Sequence, residues 1–240
     1  MNELHTIAPH RSHLALVQTD EITDPSGKAG RVAVEMERRL MLGEYQFGET
    51  LSIAQLTRQF DTSRQPVAAA IGHLRSSGYV EVIPRVGCRV VSPSLTEIGD
   101  FFVALGKLEA AAAGFAARRY ENDQADTLAE IADRGNAMWL ESQTERLDYI
   151  TSLYDYHRQI WAMAKSPLLE GRVASMRRLA TFYLWQGQAK LLPTSARLLS
   201  VERSEIAQSI RARDTYRAEI LMEKHVAHKP FVNGIMTKTP

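Results

Sequence analysis

From Arg31 onward, Val32, Met36 and Leu40, joined by Val34 and Met41, recur at helical spacing and Gly43 supplies a stop, which predicts a first helix over 28–42. Residues 1–27 carry no sustained period and end in the turn-forming run Asp24-Pro25-Ser26-Gly27, which predicts a flexible arm. After the helix, GEYQFGETL reads as a glycine-bounded loop. Ser52-Ile53-Ala54-Gln55 fits a capping box that opens a short helix to about Phe60. Ser63 is placed to cap a third helix, which tolerates Pro66 because first-turn amides have no intrahelical acceptor to lose, and which ends near Ser77-Gly78. Two β-branched runs, 79–83 and 88–91, are split by Pro84-Arg85-Val86-Gly87, a hairpin signal. Three helices followed by a two-stranded wing make a winged helix-turn-helix over 28–93.

Ser92-Pro93 forms a linker, and Ser94-Leu95-Thr96-Glu97 is a second capping box that opens a long alanine-rich helix to about Tyr120. Further helices are predicted near 123–142, 145–164, 168–190, 195–212 and 214–228, with a break at Leu191-Leu192-Pro193-Thr194. The expected fold class is therefore mainly α: the winged helix-turn-helix, then an all-α bundle over 94–230, then a short tail over 231–240.

Composition narrows the function. A chain of 240 residues, 45% hydrophobic and 24% charged, can bury a core in each of two domains and is too apolar to be disordered throughout. The single cysteine, Cys88, cannot close an intramolecular disulfide, which points to a reducing cytoplasm and to a small apolar filler role. The longest apolar run, Leu108 to Ala117, is interrupted by Glu109 and too short to span a bilayer. No phosphate-binding glycine loop, nucleophile elbow, HExxH or CxxC occurs, so a helical enzyme with a winged-helix appendage is a remote alternative.

The net charge of +1 conceals an asymmetry: residues 28–91 hold nine basic against six acidic side chains, and from Ser63 on Arg64, Arg75, Arg85 and Arg89 face only Glu81. The second helix of a helix-turn-helix enters the major groove, and Arg64, Gln65 and Ala68 share one face near its start. Arginine can reach both acceptors of guanine, glutamine can pair with adenine, and a small alanine permits close approach to a thymine methyl. Arg85 and Arg89 flank the wing turn, where Gly87 would let the backbone approach the duplex. The bland alternative is an ordinary solvated surface.

The segment 43–91 resembles the GntR family of bacterial transcription regulators, through GEYQFGETLS, DTSRQPV, GHLRSSGYVEVIP and VGCRVV. The resemblance implies DNA contacts for Ser63, Arg64 and Gly87. Relatives usually carry arginine after the valine of that second motif, where this chain has Ala68. The remainder, about 95–228, is similar to the FCD-type effector domain of the FadR subfamily, through KLEAAAAGFAARRY, HRQIWAMAKSPLL and IRARDTYRAEILMEKH. Many such domains hold a divalent metal with an Asp-x3-His pair and two later histidines. At those positions this chain has Leu153, His157, Arg203 and His225, so half the ligand set is missing; Asp155 points to another part of its helix, and His228 is a weak substitute.

Spacing places His157 with Ile160 and Trp161, Arg203 with Leu199 and Ile206, and His225 with Leu221 and Met222, each on an apolar stripe facing the core. A histidine so placed is commonly a hydrogen-bonded structural residue. A buried guanidinium demands an anionic partner, either Glu202 or another internal carboxylate, or a ligand from outside. The expected protein is a cytoplasmic homodimeric regulator, a repressor as the family resemblance implies, that binds double-stranded palindromic operator DNA and does not engage membranes. A small carboxylate effector would bind at His157, Arg203 and His225. No cofactor is demanded; a metal at His157, His225 and His228 is the alternative, and an effector-blind dimer a further one.

Overall fold

The computed structural model describes residues 27–121, 123–134, 143–186 and 193–228. The expected arm (up to residue 26), the tail over 231–240, the end of the helix expected to reach 142 and the start of the break at 191–194 lie outside them. Element order is α1 Lys28–Met41, β1 Thr50–Ser52, α2 Ile53–Gln59, α3 Arg64–Ser76, β2 Val80–Ile83 and β3 Gly87–Val90 for the N-terminal head. The helical body follows as α4 Leu95–Arg119, α5 Gln124–Arg134, α6 Gln143–Ala164, α7 Pro167–Gln186, α8 Pro193–Arg211 and α9 Thr215–Ala227.

In the head, Ser52 Oγ accepts from the Gln55 amide at 3.1 Å and starts α2. Met36, Leu40, Leu56, Val67 and Leu74 point inward from all three helices and close the core over Leu51 and Cys88 of the sheet. Burial pushes the Cys88 thiol up to about 11, which leaves it an inert apolar filler.

The wing differs from expectation in one respect. Part of the predicted loop is a strand, so the sheet has three strands in the order β1-β3-β2, both pairs antiparallel, with Leu51 opposite Cys88 and Val82 opposite Cys88 on the other edge. Gly87 is buried where β1 crosses it, and a Cβ there would lie 2.1 Å from the Leu51 carbonyl oxygen. Gly87→Ala is expected to destabilise the head by about 1–3 kcal/mol through overpacking against backbone. Urea unfolding would read this as a lower midpoint at unchanged slope.

In the body, Ser94 and Glu97 make both bonds of the capping box, which starts α4 as expected. The alanine-rich run serves close helix packing: Ala112, Ala113, Ala116 and Ala117 are buried, and at Gly106 an added Cβ would come within 3.1 Å of the Glu223 carbonyl oxygen of α9. Helix α7 belongs to the body yet also docks on the head. Its Phe182 ring sits 5.4 Å from Phe47 and 5.2 Å from Tyr79 in edge-to-face contacts. One turn later, the Gln186 amide donates to the Leu40 and Tyr45 carbonyls and accepts from the Phe47 amide.

Candidate nucleic-acid interface and buried polar site

Helix α3 buries Val67, Ala70, Ile71 and Leu74, which turns Arg64, Gln65 and Ala68 outward together. Ser63 occupies the N-cap position but its side chain makes no capping bond. Its hydroxyl is exposed beside Arg64. Arg85 is exposed at the wing tip with φ 66°, in the left-handed region, which projects it from the turn. Arg89 is exposed but paired across the strands with Glu81 at 3.0 Å, so its charge is partly neutralised. Gly87 is buried under β1, where an added Cβ would meet the Leu51 carbonyl oxygen, so packing within the head by itself favours glycine at this position. Lys28 and Arg31, to which the sequence reading gave no site, line a groove of about 170 Å³ with Phe60, Asp61 and Thr62, so basic surface extends to the turn before α3.

Inside the body, His157, Arg203 and His225 are all buried, as their apolar stripes predict. Their partners differ from expectation. Glu202, considered as the arginine's counter-ion, instead bonds His225 Nδ1 at 2.7 Å. His157 Nδ1 lies 3.3 Å from Glu109 Oε2 and 3.3 Å from Arg177 Nη2. Glu109 also accepts from Arg177 Nε and from Trp161 Nε1, each at 2.9 Å. Burial alone would raise the Glu109 carboxyl, but Arg177, His157 and Trp161 outweigh it and hold the group well below the usual carboxylate range. The His157 and His225 rings stack at 6.0 Å between centroids, which joins the two clusters.

Arg203 stands apart. It is 2% exposed, and among the described residues neither Nη1 nor Nη2 has a hydrogen-bond partner. The Tyr156 hydroxyl fixes its backbone by donating to the Arg203 carbonyl at 2.9 Å. Its charge acts on the buried Tyr149 phenol, whose oxygen likewise makes no hydrogen bond of normal geometry among the described residues; burial raises that phenol and Arg203 opposes the rise. Among the described residues Arg203 Nη1, Arg203 Nη2 and the Tyr149 oxygen make no hydrogen bond of normal geometry, and an anion accepting from all three would satisfy them.

A metal fits this chemistry poorly. Arg203 puts a fixed positive charge where a ligand of the metal-holding pattern would stand, and Arg177 brings a second against His157. Asp155 faces outward, bonded to Arg158 at 2.9 Å beside an open groove of about 850 Å³. His228 caps the end of α9. Among the described residues, no group of three or more His, Cys, Asp or Glu side chains is arranged to hold an ion.

A second buried charge pair, unforeseen from sequence, lies between head and body. Glu37 of α1 accepts from the Tyr79 hydroxyl at 2.8 Å and meets Arg178 Nε of α7 at 3.3 Å. Burial, only partly offset by Arg178 and Tyr79, pushes the Glu37 carboxyl up from 4.5 to about 7. The folded chain then holds this proton more tightly than the unfolded chain does. Its contribution is full below pH 4.5, falls as pH rises from 4.5 to about 7, and is level above that. A shift of this size corresponds to about 3 kcal/mol. Glu37→Gln is expected to flatten the fall of the melting midpoint across that window; an unchanged slope would exclude Glu37 as its source. Glu109 acts in the opposite sense, its stabilisation being lost as pH falls below the ordinary carboxylate range.

Comparison with known proteins agrees with this division. Residues 28–90 match the bacterial regulatory proteins of the gntR family, and residues 100–228 match the FCD domain. The chain is 27% identical over 209 residues to the HTH-type transcriptional repressor GlaR of Escherichia coli K12, a match covering 80% of this chain and 89% of the relative. Among solved structures, E. coli McbR/YncC superposes with a TM-score of 0.71 at 14% identity, covering 86% of this chain and 97% of the other. A GntR protein of Rhodococcus sp. RHA1 gives 0.68 at 17% identity, covering 89% and 99%. These structural likenesses speak for the fold. Among the described residues no helix is long and apolar enough to cross a membrane.

Proposed function

Because this chain belongs to the gntR family and carries an FCD domain, it is a transcription regulator, and we propose that it is a repressor whose hold on DNA is modulated by a small carboxylated metabolite. The repressing sign rests on the likeness to GlaR, whose name describes a repressor. In this reading two copies pair through their bodies in the cytoplasm and present two heads to a palindromic operator. Ser63, Arg64, Gln65 and Ala68 enter the major groove, with Arg85 and Arg89 near the backbone from the wing. Binding should then weaken steeply with salt through counterion release.

The observation that carries the effector reading is Arg203, a buried guanidinium with two nitrogens lacking acceptors among the described residues. The metabolite's carboxylate would sit between Arg203 and Tyr149, with His157 and His225 as the neighbouring wall. Arg203→Met is the direct test. Removing a buried charge whose terminal nitrogens lack acceptors among the described residues is expected to raise the stability of the free protein by about 1–3 kcal/mol, within the range seen when buried ions are replaced by apolar groups. The same change is expected to abolish thermal stabilisation by carboxylates, with acetate, succinate and benzoate as probes. Stabilisation by any of these that survives Arg203→Met would overturn the assignment.

A further inference from the structure

Arg177 and Arg178 are consecutive on α7 and reach opposite ways. Arg177 enters the body, bonding Glu109 of α4 beside His157 of α6. Arg178 reaches out of the body to Glu37 of α1, in the head. The two ends are also joined through α6: Arg178 acts on the Tyr154 phenol, and the Tyr154 ring packs edge-to-face on Trp161 at 5.6 Å, whose indole donates to Glu109. A continuous set of buried polar and aromatic contacts thus runs from the effector-side cluster to the helix that supports α3.

The two ion pairs are unequal. Arg177 grips Glu109 through two nitrogens, at 2.9 and 2.5 Å. Arg178 approaches Glu37 only to 3.3 Å, at Nε, and Glu37 Oε2 has no hydrogen-bond partner among the described residues. Apolar side chains in place of a buried ion pair commonly hold a seam as well or better. The polar contact at this seam is therefore poorly suited to permanent glue and well suited to a catch that opens when its arginine is displaced.

We propose that Arg178 and Glu37 form a releasable catch between body and head, and that Arg177 makes this catch responsive to the Glu109–His157 cluster, with α7 as the lever. The proposal takes from the reading above only that the body senses a ligand; Arg177 and Arg178 act as positioning residues and touch neither ligand nor DNA. A shift of the Glu109 cluster that the Arg177 side chain does not absorb by changing rotamer reaches the α7 backbone and, one residue on, Arg178.

Hydrogen exchange on the full-length chain tests this without a ligand. Glu109→Gln loosens the inner pair while keeping its shape. In the wild-type background it is expected to speed exchange at least fivefold in head segments 36–45 and 79–82. In a Glu37→Gln/Arg178→Met background, where the catch is absent, the same substitution is expected to leave those segments within twofold of that background. Equal acceleration in both backgrounds would show plain loss of stability and overturn the proposal, as would no acceleration in the first. If Glu109→Gln fails to fold, Trp161→Phe, which removes a single neutral donor from Glu109, replaces it with the same expected contrast. Failure of acetate, succinate and benzoate to stabilise the protein, together with a preserved background contrast, would sink the effector assignment and leave the catch standing.

Discussion

Arg64→Ala is expected to weaken operator binding by about 2–6 kcal/mol, because one arginine–guanine pair is worth about 1–3 kcal/mol and a two-headed dimer loses two. That is roughly 30-fold at the low end and 20,000-fold at the high end. The side chain is exposed and forms no ion pair among the described residues, so the loss should come without a change in melting midpoint. Gel shifts with tiled fragments of the surrounding genome, at one fixed salt concentration, would measure it. Arg89→Ala is expected to cost much less, since Glu81 already holds part of that charge. Wild-type affinity in Arg64→Ala would remove α3 from the proposed interface.

The second large effect is on folding. Glu109→Ala leaves Arg177 buried with its main counter-charge gone, and breaking a buried pair in this way costs about 3–5 kcal/mol. For a domain the size of this body each kilocalorie lowers the melting midpoint by about 2–4 °C, so a drop of about 6–20 °C is expected. Glu109→Gln/Arg177→Met, which removes both charges, should recover most of it. Calorimetry on both variants would separate the pair from the rest of the core, and a single Glu109→Ala variant melting with the wild type would refute the assignment of Arg177 as its dependent partner. The contrast with Arg203→Met matters: removing the carboxylate partner of Arg177 is expected to destabilise the fold, whereas removing the Arg203 guanidinium itself is expected to stabilise it, because its terminal nitrogens lack acceptors among the described residues.

Most of the head was legible because its signals are local. Ser52 and Ser94 announce helix starts through bonds that span three residues, and the wing announces itself through β-branched runs and a turn. Strand β1 was not legible, since Thr50–Ser52 is too short to carry a period and is a strand only by pairing with β3. The stripes that turned His157, Arg203 and His225 inward were also local, and all three are buried. Their partners were not. Glu109, within an alanine-rich run, reads as an ordinary interruption of an apolar stretch, and Arg177-Arg178 reads as surface charge on a helix.

The sequence by itself determined the order of helices, the outward triplet Arg64, Gln65 and Ala68, and the inward placement of His157, Arg203 and His225, because each depends on spacing within one element. The tertiary structure alone decided who meets whom. Glu109 and Arg177 stand 68 positions apart, and Glu37 finds Arg178 only because α7 lies against α1. Charge pairing inside a protein is set by the packing of separate helices, and a burial pattern says that a partner is required without saying which distant residue supplies it.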